Sequence, residues 1–284
     1  MAQIINTNIM SLNAQRNLSA TQSALATSVQ RLSTGLRVNS AKDDAAGLAI
    51  AERMSTQVRG MNVAIRNAND AISLSQTAEG ALSKINDMGQ RMRELAVQSA
   101  NATNNDSDRA SLNQEYQALA EEIKRTLSST AFNGTKMFAA GAALTFQIGA
   151  NNATTDQITV NLATLTAEED FSKAVGVMGA NAASAPGIAT FTFATDALAK
   201  LDTMLTKVNA KRAEFGAIQN RFEAVIQTLQ VSAENQTAAR SRIMDADFAS
   251  ETANLTRAQV LQQAGTAMLS QANSLPNNVL SLLR

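Results

Sequence analysis

The chain has no cysteine, no histidine and no tryptophan, and only two prolines and one tyrosine in 284 residues. Without cysteine it forms no disulfide and offers no thiolate to a metal or a redox reaction. Without histidine it lacks the commonest general base and metal ligand. Acid–base chemistry would then fall to carboxylates alone. The adjacent groups Asp43-Asp44, Glu121-Glu122 and Glu168-Glu169-Asp170 read as solvated charges, since Asp and Glu seldom leave water unpaired. The composition therefore calls for no enzyme activity, no metal and no cofactor. Lys and Arg number 24, Asp and Glu also 24, so the basic footprint of a nucleic-acid binder is missing too.

Scarcity of proline and glycine favours long helices over many turns. With nine Phe and 45% apolar residues, the core has to be mostly aliphatic. The opening MAQIINTNIM has no basic stretch leading into an apolar run, so a cleaved secretory signal is not expected. Membrane insertion is not expected either. The segment from Ala258 to Leu283 carries no charge, yet eleven of its 26 residues are Gln, Asn, Ser or Thr, too polar to face lipid.

What is present is helical periodicity. Leu261, Met268, Leu275 and Leu282 fall seven apart, and Ala258, Gly265, Ala272 and Val279 fall between them at steps of three and four. This is a coiled-coil seam with one large row and one mostly small row. Leu18, Leu25 and Leu32 repeat the spacing near the start; Leu201, Val208, Phe215, Phe222 and Leu229 repeat it later. Met61, Ile65, Ala68, Ile72, Leu82, Ile85, Met92 and Leu95 trace another long stripe.

Arg16 is the only charge among residues 1–30, so the two ends of the chain match chemically. The fold class expected is mainly α: a discontinuous coiled-coil domain from both termini, plus a helical-bundle core with a small β-hairpin region. The boundaries drawn are 1–44 and 240–284 for the two arms and 45–239 for the core, with the hairpin region at about 135–195.

Local signals fill in the rest. Gly35 breaks the first helix, and SAKD (Ser40 to Asp43) is a candidate capping box for the second. NATNNDSD (Asn101 to Asp108) leads into a helix over about 109–128, and Asn133-Gly134 marks a turn. LTFQI and QITVNL suggest a hairpin, residues 176–195 look irregular, and Thr195 is expected to cap the next helix. Pro276 should kink the last helix or start a fresh turn.

A helix that packs only within a monomer keeps one charged face. The C-terminal helix has none, and Val260, Leu269, Leu280 and Leu283 extend its apolar surface beyond the stripe. Amides and hydroxyls bury among copies at a lower desolvation cost than ions. The arms are thus expected to be disordered alone and helical when assembled.

Five stretches carry a family resemblance: MAQIINTNIMSLNAQRNL (1–18), RLSTGLRVNSAKDDAAGLAIAERM (31–54), QRMRELAVQSAN (90–101), FNGTKM (132–137), and the whole of 241–284 from SRIMDADFAS onward. In this order they resemble bacterial flagellin, the flagellar filament subunit, in a short form without the large outer insertion. The resemblance implies an inner domain of paired terminal helices, unfolded passage through the flagellar type III export route, and polymerisation into a filament used for motility, outside the cell. It implies as partners other copies of the chain, an export chaperone, the filament cap and the hook-junction proteins. It also implies recognition by the flagellin-sensing Toll-like receptor of animals, through Arg91, Leu95 and Glu115, on a face that packs axially between subunits. The polymerisation seam would comprise Leu18, Leu25, Leu32, Leu261, Met268, Leu275, Val279 and Leu282. A hook–filament junction protein and a membrane-inserting helical protein are the alternatives. The arms lack the basic face and interfacial aromatics that the second would need.

Overall fold

The computed structural model describes residues 7–138, 143–162 and 187–281, with side chains described up to Ser274 in the last helix. Among them are five α-helices: α1 (Ile9–Thr34), α2 (Ala45–Ser99), α3 (Asp106–Ser129), α4 (Phe191–Met244) and α5 (Phe248–Ser281). Two antiparallel hairpins lie between α3 and α4 in sequence: β1 (Ala131–Phe132) with β2 (Thr135–Lys136), and β3 (Ala143–Gln147) with β4 (Gln157–Asn161). The chain divides into two compact units, residues 1–58 with 234–284, and residues 59–233.

Helix ends follow capping chemistry. Gly35 ends α1 at φ 71°, a left-handed position that glycine occupies without Cβ strain, and its N–H donates to the Arg31 carbonyl. The expected capping box SAKD instead forms a turn. The Asp43 carboxylate accepts from the Ser40 hydroxyl and from the Ser40 and Asn39 backbone N–H groups, which holds its pKa below the ordinary value, the Ser40 hydroxyl contributing most. The cap of α2 falls one residue later, where Asp44 accepts the Gly47 N–H at 2.8 Å. An acidic cap at this end also suits the helix dipole.

A reciprocal capping box does exist at α3, between Asn105 and Asp108. It starts the helix at Asp106, three residues before the start expected from periodicity. The α4 cap also moves: Thr190 accepts the Phe193 N–H, whereas Thr195 lies inside the helix and donates to the Thr192 carbonyl.

In the unit of residues 59–233, α2, α3, α4 and the longer hairpin share one core. Leu82, Ile85 and Met92 of α2 meet Ile123 and Leu127 of α3, Leu201, Met204, Val208, Phe215 and Phe222 of α4, and Ile158 and Val160 of β4. Four members of the expected α4 stripe are thus buried, and Leu229 is half-buried. Phe222 meets Phe146 of β3 edge to face, with centroids 5.8 Å apart, a geometry the ring quadrupoles favour. At the tip of the short hairpin Asn133 (φ 47°) and Gly134 (φ 79°) make the left-handed pair that a two-residue turn needs.

Polar latches tie this unit together. The Asn113 side-chain oxygen accepts the Ile188 N–H, and the buried Ser99 hydroxyl donates to the Ile188 carbonyl. Buried Arg109 donates to the carbonyls of Asn101 and Asn104, closing the α2–α3 turn. Each satisfies backbone groups that would be costly to leave unpaired.

In the other unit α1 and α5 run antiparallel. The Asn8 amide donates to the Ala272 carbonyl at 2.7 Å, the Ser11 hydroxyl to the Asn273 side-chain oxygen at 2.7 Å, and Arg31 faces Glu251 at 3.8 Å. Leu36 bridges to Asp245, and Val38 packs with Ala51 of α2 and Met244 of α4 in a small second core. α5 passes through Pro276 and ends at Ser281.

Candidate assembly and recognition surfaces

The α1–α5 pair sorts its two seam rows to opposite roles. Ala258 and Ala272 of the small row are buried, and Gly265 is half-buried. A Cβ at Gly265 would stand 3.3 Å from the Leu18 Cδ1, so glycine here permits the close approach of the helices. The large row is more open to solvent: Leu261 is 52% exposed and Met268 66%. Leu18, Leu25 and Leu32 are half-buried. Leu275, Val279 and Leu282, the rest of the expected seam, lie outside the described side chains.

Both arms are helical and paired within one chain, the ordered form in which the sequence expects them once assembled. The small row seats α5 against α1, whereas the large row is left half to two-thirds exposed at the wall of a groove beside Met10 and Leu18.

Met10 of α1 is exposed beside this row, and Ile9, Leu12 and Val29 of α1 and Val260 of α5 are exposed elsewhere on the pair. The heptad leucines drew attention to the half-buried side of α1; the signal for its outer side was Met10 and Leu12 in a stretch with no charge. A groove of about 400 Å³ runs between the helices here, with Met10, Leu18, Leu261 and Met268 on its walls and Asn13 and Asn17 along its polar edge. Apolar surface clustered this way marks an interaction site rather than the scattered exposure normal for a monomer.

The second surface lies on α2 and α3. Arg91 donates from Nε to Glu115 Oε1 at 2.9 Å and from an Nη to Glu94 at 3.0 Å. All three side chains are about half or more exposed. These bonds, Glu115 first, raise the Arg91 pKa above its ordinary value, so it is a fixed cation presented in solvent. Leu95 is placed differently from the expectation. It sits one turn on from Arg91, but its side chain is 1% exposed and belongs to the core. The wall of α2 can thus present Arg91, and Glu115 beside it, while Leu95 anchors the helix beneath them. Exposed Val97 lies further along α2, and Arg93 reaches across to Asp202 of α4 at 2.6 Å.

Among the described residues there is no cluster of three or more acidic side chains placed to hold a metal, and no helix is long and apolar enough to cross a membrane. What remains is a rod-like pair with an unpartnered apolar face and a bundle with an exposed ion-pair network.

Comparison with known proteins decides the family. Residues 5–143 match the family model described as the bacterial flagellin N-terminal helical region, and residues 198–283 match the bacterial flagellin C-terminal helical region. The chain belongs to the bacterial flagellin family. It is 43% identical to a flagellin of Halalkalibacterium halodurans over 99% of this chain and 100% of that one. It is 40% identical to the flagellar filament 31.3 kDa core protein of Treponema maltophilum, over 99% of this chain and 100% of that one. A putative flagellar hook-associated protein of Vibrio parahaemolyticus shares the fold at TM-score 0.59 and 12% identity, covering 72% of this chain and all of that one. As a flagellin the chain is a structural protein of the extracellular flagellar filament, which self-polymerises, and is not an enzyme.

Proposed function

We propose that the α1–α5 pair is the polymerisation element of this flagellin, its outer apolar face buried by neighbouring copies in the filament. The arms 1–44 and 240–284 then supply the contacts between copies, and 45–239 is the core domain that carries the hairpins. One observation carries the reading: Leu261 and Met268, the large residues of a regular heptad row, are exposed in the single chain. Burying such a row among copies is favourable at about 25 cal/mol per Å² of apolar surface. Contacts between unlike patches that do not close into a ring propagate as a helical fibre.

The export and assembly partners follow from the same reading. The chain passes unfolded through the flagellar type III route, attended by a chaperone that covers the apolar arm, and joins the tip beneath the cap, beyond the hook-junction proteins. A chain without cysteine travels unfolded with no risk of crosslinking. Removing 258–284 tests the assignment. The shortened chain should keep the helical signal of residues 59–233 and yield no sedimentable filament on addition of sulfate; filaments of normal width would end it.

A second role is carried by the Arg91 network. An exposed arginine held by two carboxylates is a suitable centre for a protein contact. In the filament this face packs axially against the next subunit; in the free chain it is the surface that the flagellin-sensing Toll-like receptor engages. Leu95 contributes by supporting Arg91 from within.

A further inference from the structure

Nine of the eleven methionines lie among the described residues, and two of these are exposed: Met10 at 61% and Met268 at 66%. Met61, Met92, Met137, Met204 and Met244 are buried, and Met54 and Met88 are half-buried. The two exposed thioethers are not scattered. They line the same groove, Met10 from α1 and Met268 from α5, against Leu18, Leu261, Ala264 and Gly265.

We propose that Met10 and Met268 form a paired oxidation site through which peroxide controls polymerisation. This rests on the reading of the α1–α5 face as the assembly surface. The thioether sulfur attacks one peroxide oxygen, the O–O bond breaks, an S–O bond forms, and the other oxygen leaves as water after proton transfer. The sulfur loses two electrons and the peroxide gains two. The product is a polar, chiral sulfoxide where a flexible apolar side chain stood. In the free chain both thioethers are open to water, which solvates the sulfoxide. In the polymer the same oxygen would have to be buried against leucine and alanine, which is unfavourable for a polar group without a partner.

Two properties follow. Oxidation is fastest at these positions, because access governs the reaction and the other described methionines are buried or half-buried. It is also selective for the unassembled chain, because neighbours cover the groove once the filament forms. A sulfoxide reductase reverses the change, so the ability to assemble is recoverable.

The test treats the full-length monomer with hydrogen peroxide, removes the oxidant, and starts assembly with sulfate. Peptide mass spectrometry should find oxygen added at Met10 and Met268 ahead of the other described methionines, and the concentration needed for filaments should rise about tenfold for each sulfoxide buried without a partner, about a hundredfold with both. Reductase treatment should restore assembly, and preformed filaments should resist oxidation at both positions. The Met10→Leu, Met268→Leu double variant should assemble with or without peroxide. Met268→Gln, which carries a permanent polar group, should assemble poorly with no oxidant. Peroxide-treated chain that assembles like untreated chain, or a leucine double variant that loses assembly on oxidation as the parent does, overturns the proposal while leaving the assembly surface intact. An intact, untreated chain that never polymerises overturns both.

Discussion

Replacing Leu261 with glutamine separates packing inside the chain from packing between chains. The side chain is 52% exposed, so about half of leucine's roughly 2 kcal/mol transfer free energy is already realised in the free chain and about 1 kcal/mol remains for assembly. Glutamine forgoes that remainder and adds about 1 kcal/mol for burying an amide with imperfect partners. The sum, about 2 kcal/mol, raises the critical concentration for filament growth about thirtyfold. Glutamine is nearly as good a helix former as leucine, but residue 261 lines the groove beside Leu18 of α1 and forfeits the about 1 kcal/mol already realised there, so the thermal midpoint of the monomer should fall by roughly 2–4 °C. The assay is sedimentation of filaments against total protein, with calorimetry of the monomer alongside. A critical concentration within twofold of the parent would refute the reasoning, as would a loss of monomer stability large enough to explain the assembly defect.

Phe222→Ala should cost about 4 kcal/mol in unfolding free energy of the intact chain, because a fully buried ring that also stacks on Phe146 is lost; denaturant titration measures it. Asn105→Ala removes the reciprocal cap of α3 and should cost about 1 kcal/mol by the same method. Arg91→Ala should weaken receptor binding by the monomer while its thermal midpoint stays put, since the network is solvent-exposed; surface plasmon resonance reports the first and calorimetry the second. Burial pushes the Tyr116 pKa from 10.0 to about 12. The folded chain therefore keeps a proton that the unfolded chain loses, and this contribution to stability is whole below pH 10 and declines as pH rises toward about 12. Ultraviolet titration of the single tyrosine should show phenolate appearing two pH units later in the folded chain than in denaturant.

Much of the fold was legible because helical periodicity is a burial pattern written directly in residue order. Leu201, Val208, Phe215 and Phe222 were spaced seven apart and are buried. Asn133-Gly134 was legible because so few residue pairs tolerate two positive φ angles. Caps were harder, since several neighbouring side chains can serve. Asp44, not the Ser40–Asp43 pair, caps α2, and Thr190 rather than Thr195 caps α4, a choice that depends on where the preceding turn delivers the chain.

The surfaces were legible only in part. Spacing put Arg91 and Leu95 on the same side of α2, but helical spacing does not say how wide the buried stripe is, and the core takes in Leu95 while Arg91 stays half exposed. The same limit applies to α5. Two rows seven apart were evident, but which row meets α1 depends on how closely the backbones approach, and the small residues at 258, 265 and 272 win that contact. The pairing of Met10 with Met268 needed the antiparallel register of the two arms, which no single helix contains.

The most direct measurement is an electron cryo-microscopy structure of the assembled filament at side-chain resolution. Leu261 and Met268 should lie in van der Waals contact with the arms of neighbouring copies, with Ala258, Gly265 and Ala272 still against α1 of their own chain. A filament in which Leu261 and Met268 face water, or in which the small row has left its own α1, would contradict the assignment of the α1–α5 face.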